Sequence, residues 1–349
     1  MASRNTAGSF LGFCVALIVS LACAASAQAQ TEKVTIGISN AATDAGFYIA
    51  DKKGYFRDAG IAVNMTAFPS AAKMIAPLGS GELDVGAGTV SAGLYNAVER
   101  GIALRIVADK GSVTDKLEYS TLIVRKDLVD SGRFKSLADL KGMTVACASP
   151  GTGNESSLNE ALKKGGLKFT DVHVVYMGFP AMLVAMHNKA VDAAINNEPT
   201  ITEAEEQGIA VRASKEVIYP GQQTAVVLYS EKFAQERRPV AQKFLEAYLR
   251  AVRDYNDALK NGKLAGRNAD EILSILTEYT KIKDRKVYAK MVPFAVNPNG
   301  HVNETTLKND YEFFRERGLI DGKVTVDQVI DSSFANQAVA TLGPYKPAN

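Results

Sequence analysis

The chain has 349 residues, 46% of them apolar, and 40 Lys and Arg stand against 38 Asp and Glu. Charges this close to balance, with no block of one sign, give a nucleic-acid or polybasic membrane-surface reading nothing to stand on. The length can bury the cores of two domains, and three cysteines are too few for a disulfide framework.

Residues 1–29 read as a signal peptide. Arg4 precedes an apolar run from Phe10 to Ala25, and Ala27-Gln28-Ala29 is a small-residue cleavage site that leaves Gln30 first. The run is shorter than the roughly 20 apolar residues of a spanning helix. Cys23 follows Ser20-Leu21-Ala22, where a lipobox would carry an aliphatic residue in place of Ser20, so a lipid anchor is not expected. Cleavage leaves Cys147 as the sole cysteine.

Lys33 to about Ala108 alternates short apolar strands with helical stretches. Val34–Ile38, Ile61–Val63, Val85–Ala87 and Leu104–Ala108 are the strands; Phe47–Arg57, Ser70–Leu78 and Ser91–Arg100 are the helices. Tyr119–Arg125 opens a second series: strands at Met143–Ala148, Val172–Tyr176 and Ala193–Ile195, helices at Glu155–Lys164 and Ala181–Asn188. Thr224–Ser230 is a further β-rich run. Helices follow at about Pro239–Lys260, Asp270–Tyr279 and Thr305–Arg317. Lys73–Gly86 and Ala181–Ala194 echo one another, each a helix, a turn and an apolar-Asp-apolar strand entry at Asp84 and Asp192. This is an α/β chain of two similar lobes, with mainly parallel sheets and helices on both faces. The first lobe takes residues 30–120, the second 121–222, and 223–349 return to the first with C-terminal helices. The ligand cleft is expected at the hinge, beyond the carboxyl ends of the strands.

The loops after the strands carry the candidate contacts. In Ser39–Phe47, Asn40 can hydrogen-bond a ligand, while Phe47 and Tyr48 either stack on it or fill the core. Ser70 and Thr89 stand where helices begin, a position that suits an anionic group or simply a cap. Ala148-Ser149-Pro150-Gly151-Thr152-Gly153-Asn154 is the most telling, with two glycines that let backbone approach a ligand and with donors from Thr152, Gly153 and Asn154. It lacks the Gly-Lys-Ser/Thr ending of a nucleotide loop. Asn197 and Glu198 follow a strand, and Tyr119, Phe179 and Gln223 lie near the crossings or cleft loops; Lys110 could supply a cation. No HExxH, paired cysteines or G-x-S-x-G occurs, so no metal, cofactor or catalytic group is expected.

At these loops the sequence resembles the NMT1/THI5-like group of periplasmic binding proteins, which serve ABC importers of nitrate, sulfonates, taurine and pyrimidine precursors. The resemblance is carried by GFYIADKKGYFRDAGI (46–61), LGSGELDVGAG (78–88), SLADLKGMTVA (136–146), ASPGTG (148–153) and NNEP (196–199). It implies a type II periplasmic-binding-protein fold that closes on a small solute and docks on a permease with its ATPase. The polar loops and helix starts point to an organic anion, a sulfonate or a carboxylate, and a periplasmic monomer is expected. The resemblance favours Asn40, Ser70, Thr89, Thr152, Asn154 and Glu198 as contacts. Pyrimidine synthases of the same superfamily are the enzyme alternative, but they carry a cysteine-rich motif that this chain lacks. A ligand-sensing domain is the third reading.

Overall fold

A computed structural model describes residues 31–68 and 70–347. The expected signal peptide and its cleavage site lie outside these residues. Among the described residues, ten strands build two five-stranded sheets: β1 (Glu32–Ile38), β2 (Ile61–Ala67), β3 (Val85–Gly88), β4 (Leu104–Ser112), β5 (Ser120–Arg125), β6 (Thr144–Cys147), β7 (His173–Tyr176), β8 (Ala193–Asn197), β9 (Ala210–Arg212) and β10 (Gln223–Ser230). The first sheet has the order β2-β1-β3-β10-β4 and the second β7-β6-β8-β5-β9. In each, four strands run parallel and one runs against them. The opposed strands are β10, which returns from the second sheet, and β5, which enters it. The two sheets have the same plan.

Both faces of each sheet are covered, which is why the strands read as nearly continuous apolar runs. In the first, Val34, Ile36, Val227 and Tyr229 face one cluster, and Ile106, Val226 and Leu228 face the other. In the second, Val145, Cys147 and Ile195 face one side, and Ile123, Ala146 and Ala194 the other.

The echo at Asp84 and Asp192 is structural. Asp84 Oδ2 accepts the Thr35 amide of β1 at 2.9 Å, and Asp192 Oδ2 accepts the Thr144 amide of β6 at 2.9 Å. Each carboxylate ties the start of its own strand to a neighbouring strand, at the sheet edge opposite the post-strand loops.

The C-terminal helices complete the first lobe. Arg238–Asp257 places Ala241, Phe244, Leu245, Tyr248, Leu249, Val252 and Tyr255 on one face, the spacing of a helix that buries a stripe. That face covers Ala45–Lys52, where a Cβ on Gly46 would stand 2.5 Å from the Tyr248 ring. Glu304–Glu316 packs Leu307, Tyr311 and Phe314 against Met74, Leu78 and Leu94 on the opposite side. The helix read over Phe47–Arg57 is two helices, Ala45–Lys52 and Tyr55–Asp58, because Gly54 takes φ 74° between them. Ser230 caps the helix Glu231–Glu236 by accepting the Phe233 amide at 3.1 Å. Ser230→Ala should therefore lower stability by about 1 kcal/mol, read as a shifted urea midpoint at an unchanged slope.

Candidate ligand cleft

The loops after β3 and β6 meet. Ser91 and Thr152 form an antiparallel bridge, and the Ala92 amide donates to the Gly151 carbonyl at 2.9 Å. One loop comes from each sheet, so the carboxyl ends of the two sets of parallel strands face one another. Ligands of open α/β sheets bind at such an edge. The remaining post-strand segments on that edge are 39–44, Phe68 and Ser70 in the first lobe, and 177–179 and 197–198 in the second.

Asn40 is exposed and left-handed at φ 55°. Ser70 and Thr89 are exposed; the cap position of the helix Ala92–Glu99 belongs to Ser91, so Thr89 is not its cap. Thr152 holds the cap position of Gly153–Lys164, yet its hydroxyl donates to the Ser149 carbonyl at 3.0 Å and caps nothing. Gly153 is buried between the lobes, and its carbonyl accepts Gln222 Nε2 at 2.6 Å. Asn154 braces its own loop: Oδ1 accepts the Ala148 amide at 2.8 Å and Nδ2 donates to the Ile195 carbonyl at 3.4 Å. Phe179 is half-buried at the start of its helix, and its carbonyl accepts Asn196 Nδ2. Asn197 Oδ1 is buried at the end of β8 and meets no donor among the described residues. Thr89, Thr152 and Gly153 are brought together; the others named here lie along the same edge.

Five expected contacts have their side chains turned inward. Phe47 packs 4.9 Å from Tyr248 in the core, and Tyr48 lies 5.1 Å from the Tyr279 ring, because the helix that carries them is buried on both sides. Burial and the nearby Asp44 carboxylate push the Tyr48 phenol well above its ordinary pKa. Tyr119 donates to Thr224 Oγ1 at 2.7 Å. Gln223 donates to Asp109 Oδ1 at 2.6 Å and accepts the Asn303 amide. Glu198 accepts from Thr202, pairs with Arg212 at 2.9 Å and accepts the Val292 amide at 3.1 Å, so protein groups use its oxygens. Lys110 is no free cation either. It is fully buried, 2.8 Å from both Asp44 Oδ1 and Thr43 Oγ1.

The acids behind the loops carry no local sequence signal. Glu155 and Asp310 are both buried at the meeting of the lobes. Burial raises Asp310 to about 7, against the hydrogen bond from Tyr219 that holds it down. Burial likewise raises Asp109 to about 6. A folded-state pKa above the unfolded one means that the native state keeps protons the unfolded chain releases. These two acids therefore make stability fall as pH rises from about 4 through about 7. Asp310→Asn should flatten that fall, and urea midpoints measured between pH 5 and pH 8 would show it.

Two α/β lobes joined by two crossings, with post-strand loops facing across the join, define a two-lobed periplasmic-binding-protein fold. The chain belongs to the NMT1/THI5-like family, whose model matches residues 42–261. A protein of Brachyspira hyodysenteriae named as an ABC transporter periplasmic binding protein is 26% identical over 301 residues, covering 80% of this chain and 82% of that one. The taurine-binding periplasmic protein of Escherichia coli is 27% identical over 229 residues, 65% of this chain and 68% of its own length. Among solved structures, the periplasmic aliphatic sulphonate binding protein of Escherichia coli superposes with a TM-score of 0.67 at 23% identity, covering 86% of this chain and 92% of the other.

Proposed function

We propose that this protein is the solute-binding component of an ABC import system, capturing a small organic anion, a sulfonate or a carboxylate, and delivering it to a permease. The observation that carries the reading is the meeting of the Thr89–Ser91 and Gly151–Gly153 loops, one from each lobe, in a chain of this family. Asn40, Ser70, Thr89, Phe179 and Asn197 are the side chains proposed to contact the solute.

Neither the loop after β3 nor that after β6 contains Lys or Arg. The charge of an anion is then met by hydroxyls and by the amides at the start of Gly153–Lys164, where no side chain caps the first turn. Dipoles suit a singly charged, diffuse anion better than a phosphate dianion. A thermal-shift screen of taurine, alkanesulfonates, aromatic sulfonates, carboxylates, nitrate and phosphate tests this. A binder at about 100 times its Kd should add about 2.7 kcal/mol of stability. Stabilisation by cationic amines alone would overturn the anion assignment, and stabilisation by phosphate alone would overturn the preference for a singly charged one.

The reading includes export to the periplasm and a monomeric state. Intact mass of the exported protein should correspond to a chain that begins at Gln30, and acylation at Cys23 would contradict it. It also includes release of the solute unchanged, so any stoichiometric conversion would move the chain to the enzyme class.

A further inference from the structure

We propose that Arg317 is a positioning residue for the cleft: from the first lobe it fixes the Gly151 loop of the second through the buried Glu155. Glu155 sits in the first turn of Gly153–Lys164 with its carboxylate fully shielded from solvent. Its Oε2 accepts the Gly151 amide at 2.6 Å and lies 2.6 Å from Arg317 Nη1. Its Oε1 accepts the Tyr176 hydroxyl from the end of β7. All three partners converge on one carboxylate.

Arg317 is itself anchored to the first lobe. It follows the helix Glu304–Glu316, whose Phe314 is in the first-lobe core. The chain just beyond it is tied to the helix Ala92–Glu99, where Asn96 Nδ2 donates to the Leu319 carbonyl at 2.9 Å and Asn96 Oδ1 accepts the Asp321 amide at 3.0 Å. The guanidinium lies 4.2 Å from the Phe169 ring of the second lobe and 5.5 Å from the Phe313 ring of the first. It is therefore held between aromatic groups of both lobes as well as by charge.

Gly151 is consequently gripped at both ends. Its carbonyl takes the Ala92 amide directly, and its amide is held by Glu155, which Arg317 pairs. Separation of the lobes removes both Arg317 and Ala92, leaving the carboxylate with only Gly151 and Tyr176. A buried charge that loses its partner is costly, so the loop geometry at φ 63° and lobe closure support one another. This inference rests on the reading that 148–154 line the ligand cleft, but its test uses no ligand.

Thr170 and Glu312 are exposed, one on each lobe beside the contact, and Cys147 is buried and shielded from labelling. Spin labels at Thr170→Cys and Glu312→Cys would report the interlobe distance in the ligand-free chain. Hydrogen exchange over 148–154 would report the loop. Arg317→Met should add a longer distance and speed exchange of this segment about tenfold or more, and Arg317→Lys should restore part of both. Glu155→Gln keeps the shape and should match Arg317→Met; it carries the test alone if Arg317→Met does not fold. Wild-type distances and exchange in these variants would overturn the proposal, while leaving the solute-binding reading to its own screen.

Discussion

Lys110→Met should cost about 3–5 kcal/mol of folding stability, the loss expected when one partner of a buried ion pair is removed and the other stays charged. The pair is fully enclosed, with Lys110 Nζ 2.8 Å from Asp44 Oδ1. Methionine fills nearly the same volume, so packing is preserved and the effect reports charge. The second oxygen of Asp44 accepts the amides of Ser39 at 3.2 Å and Ala41 at 2.9 Å, which shapes the loop after β1. Asp44→Asn combined with Lys110→Met should recover most of the loss, since neither charge then remains buried. Equal urea midpoints for Lys110→Met and wild type would show that the pair does not hold this loop.

Gly151→Val should weaken solute binding about tenfold to a hundredfold while leaving both lobes folded. Gly151 has φ 63°, which a β-branched residue adopts only with strain, but that strain is present whether the lobes are open or closed. The part specific to closure is steric. A Cβ at Gly151 would stand 3.1 Å from Ala92 Cβ and 3.5 Å from Leu319 Cδ1, both in the opposite lobe. Overpacking of this kind costs about 1–3 kcal/mol, and the branched γ-carbons push further into the contact. Calorimetric titration with a solute identified by the screen checks it. Undiminished affinity would mean that the lobes close elsewhere.

Much of the architecture is legible from local pattern. The alternation of Val34–Ile38 and Ala193–Ile195 and the glycine ends of the helices mark strands and turns without any long-range information. The paired entries at Asp84 and Asp192 announce two lobes of one plan, and their carboxylates do hold equivalent strands. The site was harder to read because a post-strand loop serves two ends: it faces a ligand and it must satisfy itself. Asn154 and Glu198 look like free donors and acceptors in sequence, yet nearby backbone and side chains occupy them. Lys110 reads as an exposed cation because its partner Asp44 lies 66 residues earlier. Phe47 and Tyr48 read as possible stacking groups because what packs on them, Tyr248 on Phe47 and Tyr279 on Tyr48, arrives some 200 residues later. Glu155 and Arg317 carry no local signature at all, since their pairing exists only once the chain has returned to the first lobe.

The most direct test of solute capture is calorimetric titration of the purified mature chain with taurine, alkanesulfonates, aromatic sulfonates and carboxylates, followed by mass analysis of the recovered solute. The account predicts saturable one-to-one binding of at least one such anion and its return chemically unchanged. A heat signal that persists as turnover, with an altered product in the recovered material, would contradict it.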